Sequence, residues 1–139
     1  MSAARRRVGE TKEAGFQVGA RRTFDVAPER AWKLLTSARG TAVWLGPGAP
    51  ARLAEGGAYE LDDGTAGEVR VLSDAHLRLT WQPPGWERPA TVQVRVIPRD
   101  GRTVVAFHQE HLPGPAERER RKAFYLAALD ELASTFESP

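Results

Sequence analysis

Four apolar residues near the end of the chain, Tyr125, Leu129, Leu132 and Phe136, recur at steps of four, three and four, with Ala128 and Ala133 beside them. That spacing stacks them on one face of an α-helix and predicts a single helix from Pro115 to Phe136. Glu117, Arg118, Glu119, Arg120, Arg121 and Lys122 make its first turns polar. Glu117 and Arg121 stand one turn apart in acid-before-base order, as on an exposed helix surface. Burying the four large side chains contributes roughly 1.5 to 3 kcal/mol each, so the rest of the chain must offer them a concave apolar surface.

Upstream the period is mostly two. Phe16, Val18 and Ala20 alternate with Gln17, Gly19 and Arg21, and the pattern continues to Phe24 and Val26, which predicts a first strand. Ala27, Pro28 and Glu29 then open a helix with apolar Ala31, Trp32, Leu34 and Leu35; it is expected to fade by Arg39 and Gly40, with a second helix or turn over Thr41 to Leu45. Five further strands are expected at Ala58 to Leu61, Gly67 to Leu72, Leu77 to Gln82, Thr91 to Ile97 and Thr103 to Glu110, separated by turn-forming residues. Alternation places Val69, Val71, Leu77, Leu79, Trp81, Val92, Val94, Val96, Val105 and Phe107 on the face that meets the helix, with Glu68, Arg70, Arg78, Thr80, Gln93 and Arg95 on the other. This order is an α+β layout: a curved antiparallel sheet of about six or seven strands wrapped around a long C-terminal helix, with two short helices after the first strand.

The length of 139 residues suits one domain, expected over residues 15–137, behind a flexible tail over residues 1–14 that contains Arg5, Arg6 and Arg7. No apolar run approaches the roughly 20 residues of a membrane span and no export signal is visible, so a cytoplasmic location is expected. A net charge of +2 gives nucleic-acid binding little support, and the absence of cysteine removes thiolate chemistry and disulfides. Gly46-Pro47-Gly48 and Gly56-Gly57 lack the strand-to-helix context of a phosphate loop. Glu29, Glu55, Glu60, Asp62, Asp63 and Glu68 fall in loops, turns or outward positions and form no acid–base pair. On a regular strand His108 and His111 point to opposite faces, so a metal site there would need a bulge. His76 reads as a solvated turn residue.

Several pieces in order, Arg22-Thr23-Phe24, Ala27-Pro28-Glu29-Arg30-Ala31-Trp32, Val43-Trp44-Leu45-Gly46, Gly67-Glu68-Val69, Leu79-Thr80-Trp81 with Gly85-Trp86, and Thr103 to Glu110 with Leu129 and Leu132, are similar to a known family. From about Gly15 to Phe136 the chain resembles the Activator of Hsp90 ATPase homologue (AHSA1)-like branch of the SRPBCC, or START-like, superfamily. The resemblance implies the helix-grip fold, with a cavity between sheet and terminal helix that in relatives receives apolar or aromatic ligands. Relatives also include enzymes and a domain that helps stimulate Hsp90, and fold alone does not choose among these. The family helix usually presents tryptophan where this chain has Tyr125, often preceded by glycine or another residue where this chain has Phe124, so two adjacent rings narrow the expected cavity.

The expected function is non-catalytic binding of a small apolar or aromatic molecule, without a cofactor or metal. The alternatives are a protein-interaction or co-chaperone-like module using the outer face and, third, a cyclase- or hydrolase-like enzyme. The expected cavity lining is Trp44, Trp81, Trp86, Val94, Val105, Phe107, Gln109, Phe124, Tyr125 and Leu129. Gln109 follows Val105 and Phe107 in the inward register; its amide either bonds to backbone or the helix start, or serves as a polar handle for a ligand. The Tyr125 hydroxyl is likewise open to two readings: it caps the cavity or it reaches solvent. Trp44 and Trp86 lie near loops, as pocket-mouth residues or core plugs.

Overall fold

The computed structural model describes residues 10–11 and 15–137. Among them, seven strands form one antiparallel sheet: β1 (Glu10–Thr11), β2 (Gly15–Phe24), β3 (Ala58–Glu60), β4 (Ala66–Leu72), β5 (His76–Trp81), β6 (Ala90–Arg99) and β7 (Arg102–Leu112), in the spatial order β1-β2-β7-β6-β5-β4-β3. Two short helices, α1 (Pro28–Leu35) and α2 (Ala38–Trp44), follow β2, and α3 (Pro115–Glu137) closes the chain. This is the helix-grip arrangement. Glu10 and Thr11, placed in the tail by the sequence, pair with Phe16 and Gly15; the rest of that tail, residues 1–9 and 12–14, lies outside the described residues. Among the described residues no helix is long and apolar enough to cross a membrane.

The alternation of apolar residues sets the inner face. Leu79, Val92, Gln109 and Val18 are successive cross-strand partners, and Leu77, Val94, Phe107 and Ala20 form the next row. All eight are buried. Two bulges interrupt the alternation. One, between Val69 and Val71, pairs Val71 with Arg78 and Leu72 with Leu77, so Leu72 packs against the core and Val71 joins the outer face, contrary to the strict alternation. The other adds a residue to β7: Phe16 pairs with Leu112 while Val18 pairs with Gln109, and His111 adopts a φ of 64°. As a result His108 and His111 both reach the Glu110 carboxylate, His108 through Nδ1 at 3.4 Å and His111 through Nε2 at 4.0 Å. Among the described residues no group of three or more histidine and acidic side chains is arranged to hold a metal ion. His76 opens β5, and its Nε2 lies 2.9 Å from Gln93 Oε1, so it is tied to the outer face rather than free in the turn.

The two short helices also divide differently from the hydropathy pattern. Gly40 does not end a helix; it lies inside α2, whose N-cap Ser37 accepts a hydrogen bond from the Gly40 amide at 3.1 Å. A side chain at Gly40 would place its Cβ 1.8 Å from the Leu34 carbonyl oxygen, so glycine is needed here for close approach of α2 to α1.

Helix α3 lies over β2 and β7 and touches α2. Tyr125, Ala128, Leu129, Leu132 and Ala133 are buried, and the Phe136 ring packs 5.0 Å from that of Phe24. Its polar first turns are less exposed than expected. Glu117 pairs with Arg120 at 3.3 Å instead of with Arg121, and Arg118 Nε donates to the Gln17 carbonyl at 2.8 Å.

Candidate functional site

Where α3 crosses the inner face, Phe107 from β7 stacks on Tyr125, with centroids 5.1 Å apart and planes 15° from parallel. Phe124 meets Tyr125 edge-on at 5.7 Å. One step along β7, Gln109 occupies the same inward register as Phe107 and is fully buried. Its Oε1 accepts the Tyr125 hydroxyl at 2.8 Å and Arg121 Nε at 2.8 Å. Arg121 Nη2 also donates to the Tyr125 oxygen at 3.1 Å. The Gln109 amide oxygen therefore bonds to two side chains in the second and third turns of α3, and the Tyr125 hydroxyl points to that oxygen rather than to solvent.

The Arg121 guanidinium sits in an aromatic box. Its Cζ lies 4.1 Å from the Trp81 ring centroid, 4.4 Å from that of Phe124 and 4.8 Å from that of Tyr125. A partly desolvated guanidinium against three ring faces gains cation–π attraction. Two buried groups in this layer, Trp81 Nε1 and Gln109 Nε2, have no hydrogen-bond partner among the described residues. An unpaired buried N–H costs about 1 to 3 kcal/mol. Tyr59, on β3, donates its hydroxyl to the Thr80 carbonyl at 2.5 Å. Burial, and secondarily Tyr125, pushes the Tyr59 phenol well above its ordinary pKa, opposed by Arg121. Burial likewise raises Tyr125, against the lowering pull of Arg121, so both phenols stay protonated at neutral pH.

Of the ten residues expected from the sequence to line the cavity, Trp81, Phe107, Gln109, Phe124 and Tyr125 come together here. Val94 is the cross-strand partner of Phe107, and Val105 and Leu129 are buried in the same core. The Trp44 ring lies 6.3 Å from that of Phe107, and its indole N–H donates to the Leu35 carbonyl at 2.7 Å. It plugs the core. Trp86 meets Trp81 edge-on at 5.4 Å and lines a surface groove of about 830 Å³ together with Gly85, Arg88, Thr91, His111 and Leu112. Trp86 thus stands between that groove and the interior. A second groove, about 500 Å³, is lined by Trp32 and Lys33 of α1 with Asp74 and Val96. Neither groove is lined by Phe107, Gln109 or Tyr125, whose side chains pack against one another.

Arg121 and Tyr59 complete the site; from the sequence Arg121 was expected on the exposed helix surface beside Glu117, and Tyr59 was not singled out. A signal for Arg121 was present: it precedes Tyr125 by four residues, so it continues the inward stripe of α3 by one turn. Tyr59 alternates with outward Ala58 and Glu60 in a strand too short for its period to stand out.

No curated protein matches the chain. Solved structures do. CalU16 from Micromonospora echinospora matches with a TM-score of 0.72 at 20% identity, over 88% of this chain and 76% of that one. The HSP90 activator PFC0360w from Plasmodium falciparum matches with a TM-score of 0.71 at 20% identity, over 88% and 97%. MLL2253 from Mesorhizobium loti matches with a TM-score of 0.69 at 21% identity, over 87% and 96%. At these identities the likeness establishes the fold. The family model described as Activator of Hsp90 ATPase homolog 1-like protein matches residues 25–137, and the chain belongs to that family.

Proposed function

We propose that the protein binds a small planar, apolar or aromatic molecule between the sheet and α3, entering past Trp86, and holds it without transforming it. The observation that carries this reading is the group of buried, unpartnered donors, Trp81 Nε1 and Gln109 Nε2, in a layer walled by the rings of Trp81, Phe107, Phe124 and Tyr125. Apolar walls with a few convergent polar groups are the usual lining of a ligand site. Tyr125, kept neutral by burial, acts there as a donor to Gln109 rather than as a base. Ring packing makes the site tight, so binding requires Phe124 or Trp86 to move aside.

A second reading, an interaction module of the Hsp90-activator kind, draws support from the family and from the likeness to the Plasmodium falciparum activator. On the outer face, however, Arg70 bonds to Glu68, Arg95 and His76 bond to Gln93, and His108 bonds to Gln17. These exposed groups pair with one another and with water, and none of them is a buried polar atom left unpaired, as Trp81 Nε1 and Gln109 Nε2 are in the interior.

Titration of wild type and Phe124→Ala with a graded series of aromatic probes, followed by tryptophan fluorescence, tests the proposal. Phe124→Ala is expected to strengthen binding of the bulkier probes by opening the layer, while costing some stability. Phe107→Trp should weaken binding by overfilling it. Saturable binding indifferent to both substitutions would place the ligand elsewhere, and an absence of binding to any form would favour the interaction module.

A further inference from the structure

Arg121 brings a positive charge into the layer between sheet and α3 without a carboxylate to meet it. The acidic residues of the first turns are committed to other arginines, Glu117 to Arg120 and Glu119 to Arg118, and among the described residues none is within ion-pair distance of Arg121. Its acceptors are neutral: the Gln109 amide oxygen and the Tyr125 hydroxyl. These bonds use one N–H on Nε and one on Nη2, leaving the Nη1 end of the fork without a protein partner and, since it is not among the buried unpaired atoms, open to solvent.

The neighbouring groups still lacking partners have the same polarity. Gln109 Oε1 already accepts two hydrogen bonds, from Arg121 Nε and Tyr125, which occupies both of its lone pairs and fixes the amide orientation. The unpartnered end of that amide, Nε2, only donates, and so does the indole N–H of Trp81, the ring on which the guanidinium lies. Two buried unsatisfied donors therefore lie in a layer with aromatic walls, beside a full positive charge whose outer end meets water. An apolar ligand would leave both buried donors unpaired and would strip water from the charge. An acceptor-only anion would satisfy them, and a carboxylate matches the fork of a guanidinium in shape as well as charge.

We infer that the ligand is a planar aromatic carboxylate, with Arg121 as the residue that determines specificity and with Gln109 Nε2 and Trp81 Nε1 as supporting donors. This rests on the ligand-binding reading and narrows it to one chemical class. Burying an anion is costly unless it is both paired and hydrogen-bonded, and the site supplies both conditions.

The test uses 2-naphthoate and its neutral isostere 2-naphthamide, titrated calorimetrically into the full chain at neutral pH. Wild type is expected to bind the acid at least about tenfold more tightly than the amide, as charge-assisted hydrogen bonds warrant. Arg121→Gln should erase that preference, so that the acid binds no more tightly than the amide. Arg121→Lys, which keeps the charge and loses the planar fork, should retain part of it. Equal affinity of wild type for acid and amide overturns the inference and leaves the ligand-binding reading standing. Binding of neither probe overturns both. Survival of the acid preference in Arg121→Gln removes Arg121 from the role, and if that variant fails to fold, the wild-type comparison and Arg121→Lys decide.

Discussion

Leu132→Ala should lower the free energy of unfolding by about 2 to 5 kcal/mol, because it removes a fully buried side chain from the face of α3 that the sheet grips and leaves a cavity behind. Leu126→Ala, on the same helix, is expected to change stability by no more than about 0.5 kcal/mol. Leu126 is 48% exposed and stands outside the buried stripe. The two substitutions delete the same atoms from the same helix, so propensity differences cancel and only burial separates them. Urea unfolding of both variants reads the difference. A loss below about 1 kcal/mol for Leu132→Ala would show that the gripped face is wrongly assigned.

Alkaline pH should destabilise the fold steeply. The chain has two tyrosines, Tyr59 and Tyr125, and burial raises both phenols above the ordinary value of 10.0. Below that value folded and unfolded states alike keep both protons, so the contribution to stability is fully present. Above it the unfolded chain releases them while the folded protein holds them, and stability falls by about 2.7 kcal/mol per pH unit for two protons. Tyrosinate absorbance should therefore appear together with loss of the fold, in one step, and Tyr59→Phe should halve the slope. Tyrosinate growing in near pH 10 with the fold intact would mean that the phenols are not buried as described.

The parts of this structure that could be read from sequence are those governed by a regular period. The α3 stripe from Tyr125 to Leu132 and the inward rows through Leu77, Leu79, Val92, Val94 and Phe107 follow from periods of 3.6 and two, and Gln109 was placed correctly because it continues the second. What escaped is non-periodic. A bulge flips register with no compositional mark, so Val71 and Leu72 exchange faces and His108 and His111 meet at Glu110. Gly40 looked like a helix breaker because sequence does not reveal the backbone of a neighbouring helix pressed against it. Arg121 was hidden by its charge: its long stem and flat guanidinium let it enter an aromatic layer where its type is expected to face water. The site's rings were legible, and the cation they surround was not.

Two-dimensional NMR of the four tryptophan indole N–H signals, recorded while 2-naphthoate is titrated into the isotope-labelled protein, shows most directly whether a ligand enters between the sheet and α3. The Trp81 signal should move saturably, because its N–H gains an acceptor, and Trp86 at the entrance should follow, while Trp32 on the second groove stays in place. A saturable shift at Trp32 with Trp81 unmoved, or no saturable shift at any of the four, would contradict binding between sheet and helix.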